Sequence, residues 1–109
     1  MKITIICSHG ARISDLDEHL PEDTDEIIIT GGRTAYIPAR KYAIGHDIRL
    51  TEVFPDYKKD GQSADMMCNI RMIDGSDMLL IFGDTVSSET GFAVDYCRIS
   101  GKAVKIIEF

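Results

Sequence analysis

The sequence predicts an α/β fold built as a three-layer sandwich around a parallel sheet. Five short apolar runs rich in β-branched residues alternate along the chain with segments that carry helix caps and helix stops. Near-continuous apolar runs are typical of strands that are covered on both faces, as in parallel sheets. Strands that alternate with helices imply βαβ units with right-handed crossovers. A chain of 109 residues fits one domain with an adequate core, so we assign residues 1–109 to a single domain.

The predicted strands follow the apolar runs. The first residues, Met1–Cys7, are too few and too β-branched for a signal peptide, and we interpret them as the start of the sheet. The third run alternates more than the others, which places Ile48, Leu50 and Val53 on a buried face. The predicted strands are Ile3–Cys7, Ile27–Ile29, Ile48–Phe54, Met78–Phe82 and Ala103–Ile107.

Helix signals occupy the segments between these runs. Ser14 precedes Asp15, Asp17 and Glu18, which is the pattern of a capping residue followed by acidic side chains near the positive end of a short helix. The other predicted helices are Tyr36–Ile44, with Pro38 in its first turn and Gly45 as its stop, a helix capped by Ser63 that runs to Ile73, and Thr90–Ser100, which stops at Gly101.

The helix that follows Ser63 is apolar nearly all round. Its main stripe consists of Ala64, Met67, Cys68 and Met72, and Met66, Ile70 and Ile73 lie elsewhere around the helix. A helix of this kind is either buried or forms a subunit contact, and we therefore expect a homo-oligomer.

Composition and charge exclude several classes of partner. Hydrophobic residues make up 44% of the chain and charged residues 28%, which is the balance of an ordinary globular protein rather than a disordered one. The formal net charge of −6 argues against binding to duplex nucleic acid, but not against a small anionic ligand. No stretch approaches the ~20 apolar residues that span a bilayer, so no membrane partner is expected. Three widely spaced cysteines, an odd number, favour a reduced, cytoplasmic protein.

The loops after the strands are the candidate sites, because ligands of open parallel sheets bind beyond the carboxyl ends of the strands. After the second strand come Gly31, Gly32, Arg33 and Thr34. Paired glycines allow the backbone to approach a ligand closely, the following helix presents its N–H groups, and an arginine adds a forked donor for phosphate or carboxylate. The alternative is a tight turn with a surface arginine, since the spacing matches neither a P-loop nor a G-x-G-x-x-G motif.

A second candidate loop follows the fourth strand and opens the last helix. It runs from Gly83 through Asp84 to Thr90, and the hydroxyls of Ser87, Ser88 and Thr90 suit phosphate or ribose oxygens. The alternative is a cluster in which one hydroxyl caps the helix.

Ser8 and His9 follow the first strand, and Asn69 lies in the third helix, where an amide among apolar neighbours needs partners. No metal site is predicted, because Cys7, His9 and the distant Asp84 or His46 match no known ligand spacing.

The order of several motifs resembles one known family. Gly-Gly-Arg-Thr-Ala at 31–35 is followed by Phe-Pro-Asp-Tyr at 54–57, by Gly61 through Asn69 and Met72, by Ser-Asp-Met-Leu-Leu-Ile-Phe at 76–82 and by Ser-Ser-Glu-Thr-Gly at 87–91. Over nearly the whole chain this order resembles the SLOG superfamily, and within it the small Rossmann-like proteins related to YspA and YpsA, a domain of unknown function. The resemblance implies a five-stranded parallel sheet, for which we expect the order 3-2-1-4-5, and a nucleotide or nucleotide-derived ligand.

The resemblance also implies site residues. Gly31 and Gly32 match the phosphate-side glycines of the family, Ser8 matches the serine after strand one, and Asn69 and Thr90 match its asparagine and the threonine of its G-T turn. This chain departs from the pattern as well. Glu89 stands where the family has the glycine before that threonine, Cys68 replaces an arginine, and Tyr36 stands near an acidic position. A carboxylate at position 89 repels phosphate, so the phosphate is expected beside the glycine pair or Glu89 is expected to bind a ribose hydroxyl.

Relatives of the family that cleave or transfer N-glycosidic bonds need a glutamate, and its position falls at Ala93 here. Glu89 and Asp84 are the remaining candidates for a catalytic carboxylate. The sequence therefore favours a cytoplasmic nucleotide sensor or binder that requires no cofactor. The alternatives are an N-glycosidase or phosphoribohydrolase-like enzyme, and a self-associating interaction module whose pocket is vestigial.

Overall fold

The computed structural model describes residues 1–85 and 88–108, and for Ser88 the backbone only. Within these residues a five-stranded, all-parallel sheet has the strand order β3-β2-β1-β4-β5. The strands are β1 (Lys2–Cys7), β2 (Glu26–Thr30), β3 (Arg49–Val53), β4 (Met78–Phe82) and β5 (Ala103–Ile107). The predicted fold class, a Rossmann-like three-layer sandwich with this strand order, is confirmed.

Helices cover both faces of the sheet. The α-helices are α1 (Leu16–His19), α2 (Ile37–Gly45), α3 (Tyr57–Asp60), α4 (Ala64–Asp74) and α5 (Ser88–Ile99). One core cluster joins Leu16, Ala39 and Ala43 to one face of the sheet, and a second joins α4 and α5 to the other. Because consecutive strand residues point to opposite faces, the apolar runs fill both clusters at once.

The third strand contributes to both core clusters. Leu50 and Ile48 pack against the cluster under α1 and α2, whereas Val53 packs against the cluster under α4 and α5. The prediction that these three residues share one face is therefore wrong, because Leu50 and Val53 are an odd number of residues apart in a strand.

Some predicted helix ends differ from the observed ones. Asp15, at a φ of 55°, takes the N-cap position of α1 instead of Ser14, and its side chain makes no capping hydrogen bond. Gly45 is the last residue of α2 rather than the residue after it. The helix α3, which was not predicted, is followed by a 3₁₀ turn (Gly61–Ser63) that leads into α4.

The helix α4 is buried on one side only. Ala64, Cys68 and Met72 lie in the core as predicted, and Ile73 joins them, whereas Met67 of the same predicted stripe is only partly buried. Met66 is 43% exposed, so within this chain the helix is not buried all round, and the alternative of a subunit contact stays a prediction.

Replacing the cap of α3 is expected to cost more than replacing the residue before α4. The Asp56 carboxylate accepts a hydrogen bond from the backbone N–H of Lys59 at 3.1 Å, whereas Ser63 makes no side-chain capping bond. Asp56→Ala should lower the free energy of unfolding by about 1 kcal/mol. Ser63→Ala, the matched control, should change it by less than about 0.5 kcal/mol. Equal losses in urea titrations of the two variants would contradict this difference.

Candidate functional site

A cleft of about 590 Å³ lies at the carboxyl edge of the sheet. Three segments form its walls: the loop after β1, the loop after β2 and the first turn of α5. The predicted residues that line it are Ser8, His9, Gly32, Arg33, Thr34, Glu89 and Thr90. The strand order reverses beside β1, and such a reversal is where open α/β sheets place their ligands.

The cleft exists because β1 and β2 separate toward their carboxyl ends. Residues Lys2–Thr4 of β1 pair with β2, whereas Ile3–Cys7 pair with β4. At the end of β1 the backbone N–H of Cys7 donates instead to the phenol oxygen of Tyr36 at 3.0 Å. Tyr36 is only 5% exposed, and this burial raises the pKa of its phenol. The buried ring therefore stands between the two strand ends.

Tyr36 lines the cleft but was not predicted as a site residue. The sequence pattern predicts this aromatic residue as the first residue of a helix, whereas the structure places it in a 3₁₀ turn (Thr34–Tyr36) that precedes α2. Its position close to Arg33 and Thr34 in the chain was the available signal. The other lining residues that were not predicted are Ile6, Cys7, Gly10, Ala11 and Ala35, which lie next to predicted ones.

The glycine pair divides into two roles. Gly31 does not line the cleft, and its N–H donates to the carbonyl of Val53 at 2.9 Å. A Cβ on Gly31 would lie 2.4 Å from the ring of Phe54, so its missing side chain makes room for that ring. Gly32 lines the cleft and has a φ of +79°, which side chains rarely adopt. The expected phosphate-side role therefore depends on Gly32 alone.

Arg33 brings a positive charge to the cleft wall. Its Nη2 lies 3.0 Å from Oδ1 of Asp65 in α4, and the Tyr57 hydroxyl donates to the same oxygen at 2.8 Å. Partial burial lowers the pKa of the Arg33 guanidinium, but its contact with Tyr57 and the charges of Asp65 and Glu89 outweigh this and raise the pKa overall. Arg33 thus stays charged and is paired with a carboxylate of α4.

Asn69 lies behind the cleft rather than in its wall. It is 3% exposed, and its Nδ2 donates to Oε1 of Glu89 at 3.4 Å. The expectation that the buried amide has a partner is confirmed. The partner is a cleft residue, so Asn69 acts on the cleft through Glu89.

Gly83 and Asp84 line a second, adjoining cleft of about 330 Å³, together with Glu108. The loop after β1, residues 8–11, forms a shared wall between the two clefts. Gly83 has a φ of +119°, and a Cβ there would lie 1.8 Å from the Ser8 Oγ. Gly83 is therefore needed for the close approach of the two loops. The two candidate carboxylates, Asp84 and Glu89, line different clefts.

The loop before α5 is described only in part. Ser87 lies outside the described residues, and so does the side chain of Ser88. Thr90 is 3% exposed and lines the main cleft, and its predicted contact with a ligand stays a prediction.

The described residues offer no evident metal site. Within 1–85 and 88–108, no group of three or more histidine, cysteine or acidic side chains is placed to hold a metal ion.

Burial raises the pKa of the Cys7 thiol, which lies 3.3 Å from the Ala11 carbonyl oxygen, so this cleft residue is a protonated thiol. Among the described residues, no helix has the length and apolar character needed to cross a membrane.

Comparison with known proteins adds no relative. No family model matches this chain, and no curated protein or solved structure matches it significantly. The resemblance to the SLOG superfamily thus stays a prediction from the motifs.

Proposed function

We propose that the main cleft binds a nucleotide or a nucleotide-derived ligand and that the protein acts as a sensor or binder. The observation that carries this proposal is the convergence of three chain segments on one cleft at the carboxyl edge of a parallel sheet. Its volume of about 590 Å³ is typical of small-molecule sites, which occupy roughly 300–1,000 Å³.

The lining offers a contact for each part of such a ligand. Arg33 and the backbone at Gly32 suit a phosphate group, since a guanidinium binds phosphate oxygens with two parallel hydrogen bonds. Ala35, which is exposed and lines the cleft, provides apolar surface for a base. Glu89 accepts hydrogen bonds and suits a ribose hydroxyl.

Thermal unfolding in the presence of adenine and guanine nucleotides tests this proposal. A ligand at one hundred times its dissociation constant should stabilise the fold by about 2.7 kcal/mol, because it binds the folded chain and not the unfolded one. For a domain of this size that corresponds to a rise in Tm of roughly 10 °C. If no nucleotide in a broad panel raises the Tm, the proposal is wrong.

Two variants at Gly32 locate the binding site. Gly32→Asp adds a carboxylate to the cleft wall, whereas Gly32→Asn adds a neutral side chain of the same shape with the same backbone strain. The aspartate variant should lose most of the stabilisation by nucleotide, and the asparagine variant should keep a larger share. Equal stabilisation of both variants and the wild type would place the ligand elsewhere.

Hydrolysis of an N-glycosidic bond is the second candidate function, and the position of Glu89 in the main cleft favours it. Against it stand the full burial of Ala93 and the location of Asp84 in the adjoining cleft. Chromatography of nucleoside monophosphates incubated with the protein would show a released base. Release that disappears in Glu89→Gln would replace the binding proposal with an enzymatic one.

The expected homo-oligomer is part of the same proposal, with the exposed Met66 of α4 as a candidate contact. Light scattering decides this point, since a mass of 12.1 kDa would identify a monomer. A self-associating protein that no nucleotide stabilises would support the third function, an interaction module.

A further inference from the structure

We propose that Glu89 is a specificity-determining residue that closes the start of α5 to phosphate groups and accepts a hydrogen bond from a donor on the ligand, such as a ribose hydroxyl. This inference rests on the proposed nucleotide-binding function and goes beyond it, because it predicts that the cleft discriminates against polyphosphates. The phosphate end lies beside Arg33, and the donor end lies beside Glu89.

The position of Glu89 in its helix is the first argument. Glu89 is in the first turn of α5 (Ser88–Ile99) and lines the main cleft. The N-terminus of a helix carries a partial positive charge that attracts anions, and a carboxylate in the first turn already compensates that charge. A phosphate placed there would meet a full negative charge at short range. Among the described residues that line this cleft, Arg33 is the side chain whose positive charge can attract a phosphate group.

The buried amide behind Glu89 is the second argument. Asn69 is 3% exposed and donates to one oxygen of the Glu89 carboxylate at 3.4 Å. A carboxylate can accept about four hydrogen bonds, so this single long contact leaves Glu89, which is exposed, capacity for further donors. We therefore infer that Asn69 is a positioning residue. Its buried amide orients the Glu89 carboxylate in the cleft wall.

The charges around the cleft also disfavour a ligand with several phosphate groups. The main cleft contains Arg33 and Glu89, whose charges cancel, and Asp65 already pairs with Arg33 at 3.0 Å. The adjoining cleft adds Asp84 and Glu108. A chain of phosphates that extends from Arg33 toward either α5 or the adjoining cleft would approach a carboxylate. The arrangement thus disfavours polyphosphates, in contrast to a site that surrounds phosphates with donors only.

Calorimetric titrations with adenosine, AMP, ADP and ATP in magnesium-free buffer test this inference, and the guanosine series repeats the test. For the wild type, we expect affinity to fall by about tenfold or more from AMP to ATP, since each added charge meets the carboxylates at short range. In Glu89→Gln, which keeps the shape and removes the charge, ATP should gain about tenfold in affinity while adenosine loses affinity.

Asp95→Asn is the matched control. Asp95 lies on the same helix and is exposed, but it lines neither cleft, so the variant changes the net charge by the same amount without changing the cleft. It should keep the preference for AMP over ATP. The inference is overturned if ATP binds the wild type as tightly as AMP, or if both variants raise ATP affinity equally. Binding of ATP that equals that of AMP would leave the proposed function intact, whereas no binding by any member of either series would overturn both.

Discussion

Gly83→Ala should destabilise the fold by about 4 kcal/mol, the sum of backbone strain and a close contact. Gly83 has a φ of +119°, a conformation that an alanine rarely adopts. A Cβ there would also lie 1.8 Å from the Ser8 Oγ and 3.0 Å from the Ala11 Cβ, so the loop after β1 would have to move. Urea titration followed by circular dichroism measures the loss, and nucleotide stabilisation should fall with it because that loop is a wall of both clefts.

Two other glycines serve as controls for this variant. Gly101 has a φ of +76°, and a Cβ added there meets nothing within 4 Å. Gly101→Ala therefore reports backbone strain alone and should lower the free energy of unfolding by about 1 kcal/mol. Gly45→Ala, in the last position of α2, meets nothing within 4 Å and should stabilise the fold by up to about 1 kcal/mol. A loss in Gly83→Ala no larger than that in Gly101→Ala would show that the contact with Ser8 is absent.

Ala93→Glu should destabilise the fold by about 4 kcal/mol or more, because it places a carboxyl group in the core. Ala93 is 0% exposed and belongs to the cluster that α4 and α5 form with the sheet. Position 93 is where the resemblance predicted from the motifs would place the catalytic glutamate of enzymes that cleave N-glycosidic bonds. A loss of this size would show that the inner face of α5 is built for packing and does not accommodate a carboxylate.

The destabilisation by Ala93→Glu should grow with pH. Burial disfavours the charged form, so the introduced carboxyl has a higher pKa in the folded state than its value of about 4.3 in the unfolded chain. Below that pH both states are neutral and the cost is that of size and polarity; above it the cost rises until the folded-state pKa is reached. Ala93→Gln, of equal size, should show no such rise. A stable Ala93→Glu variant that releases base from nucleotides would contradict this view of α5.

Strand positions could be predicted because burial on both faces produces apolar runs that are visible in the sequence. The predicted limits of β4 and β5 match the observed ones, Met78–Phe82 and Ala103–Ile107. The third strand was predicted to include Phe54, whose ring lies instead against Gly31. The helix α3 was missed because four residues are too few to show a period, although Asp56 was a capping signal.

Part of the candidate site could be predicted from the rule that ligands of open parallel sheets bind beyond the carboxyl ends of the strands. That rule found Ser8, Gly32 and Arg33 without knowledge of their contacts. It also included Gly31, whose backbone N–H donates a hydrogen bond to the carbonyl of Val53. The sequence does not show which backbone N–H groups are already hydrogen-bonded to a neighbouring strand. Likewise, the link between Asn69 and Glu89 joins two helices and is visible only in three dimensions.

The tyrosine between β1 and β2 has a consequence for the shape of the cleft. Tyr36 is 5% exposed, lines the cleft and accepts a hydrogen bond from the backbone N–H of Cys7, so its ring is part of the buried lining. Replacing that ring by a smaller side chain should therefore deepen the cleft and alter which molecules it accommodates.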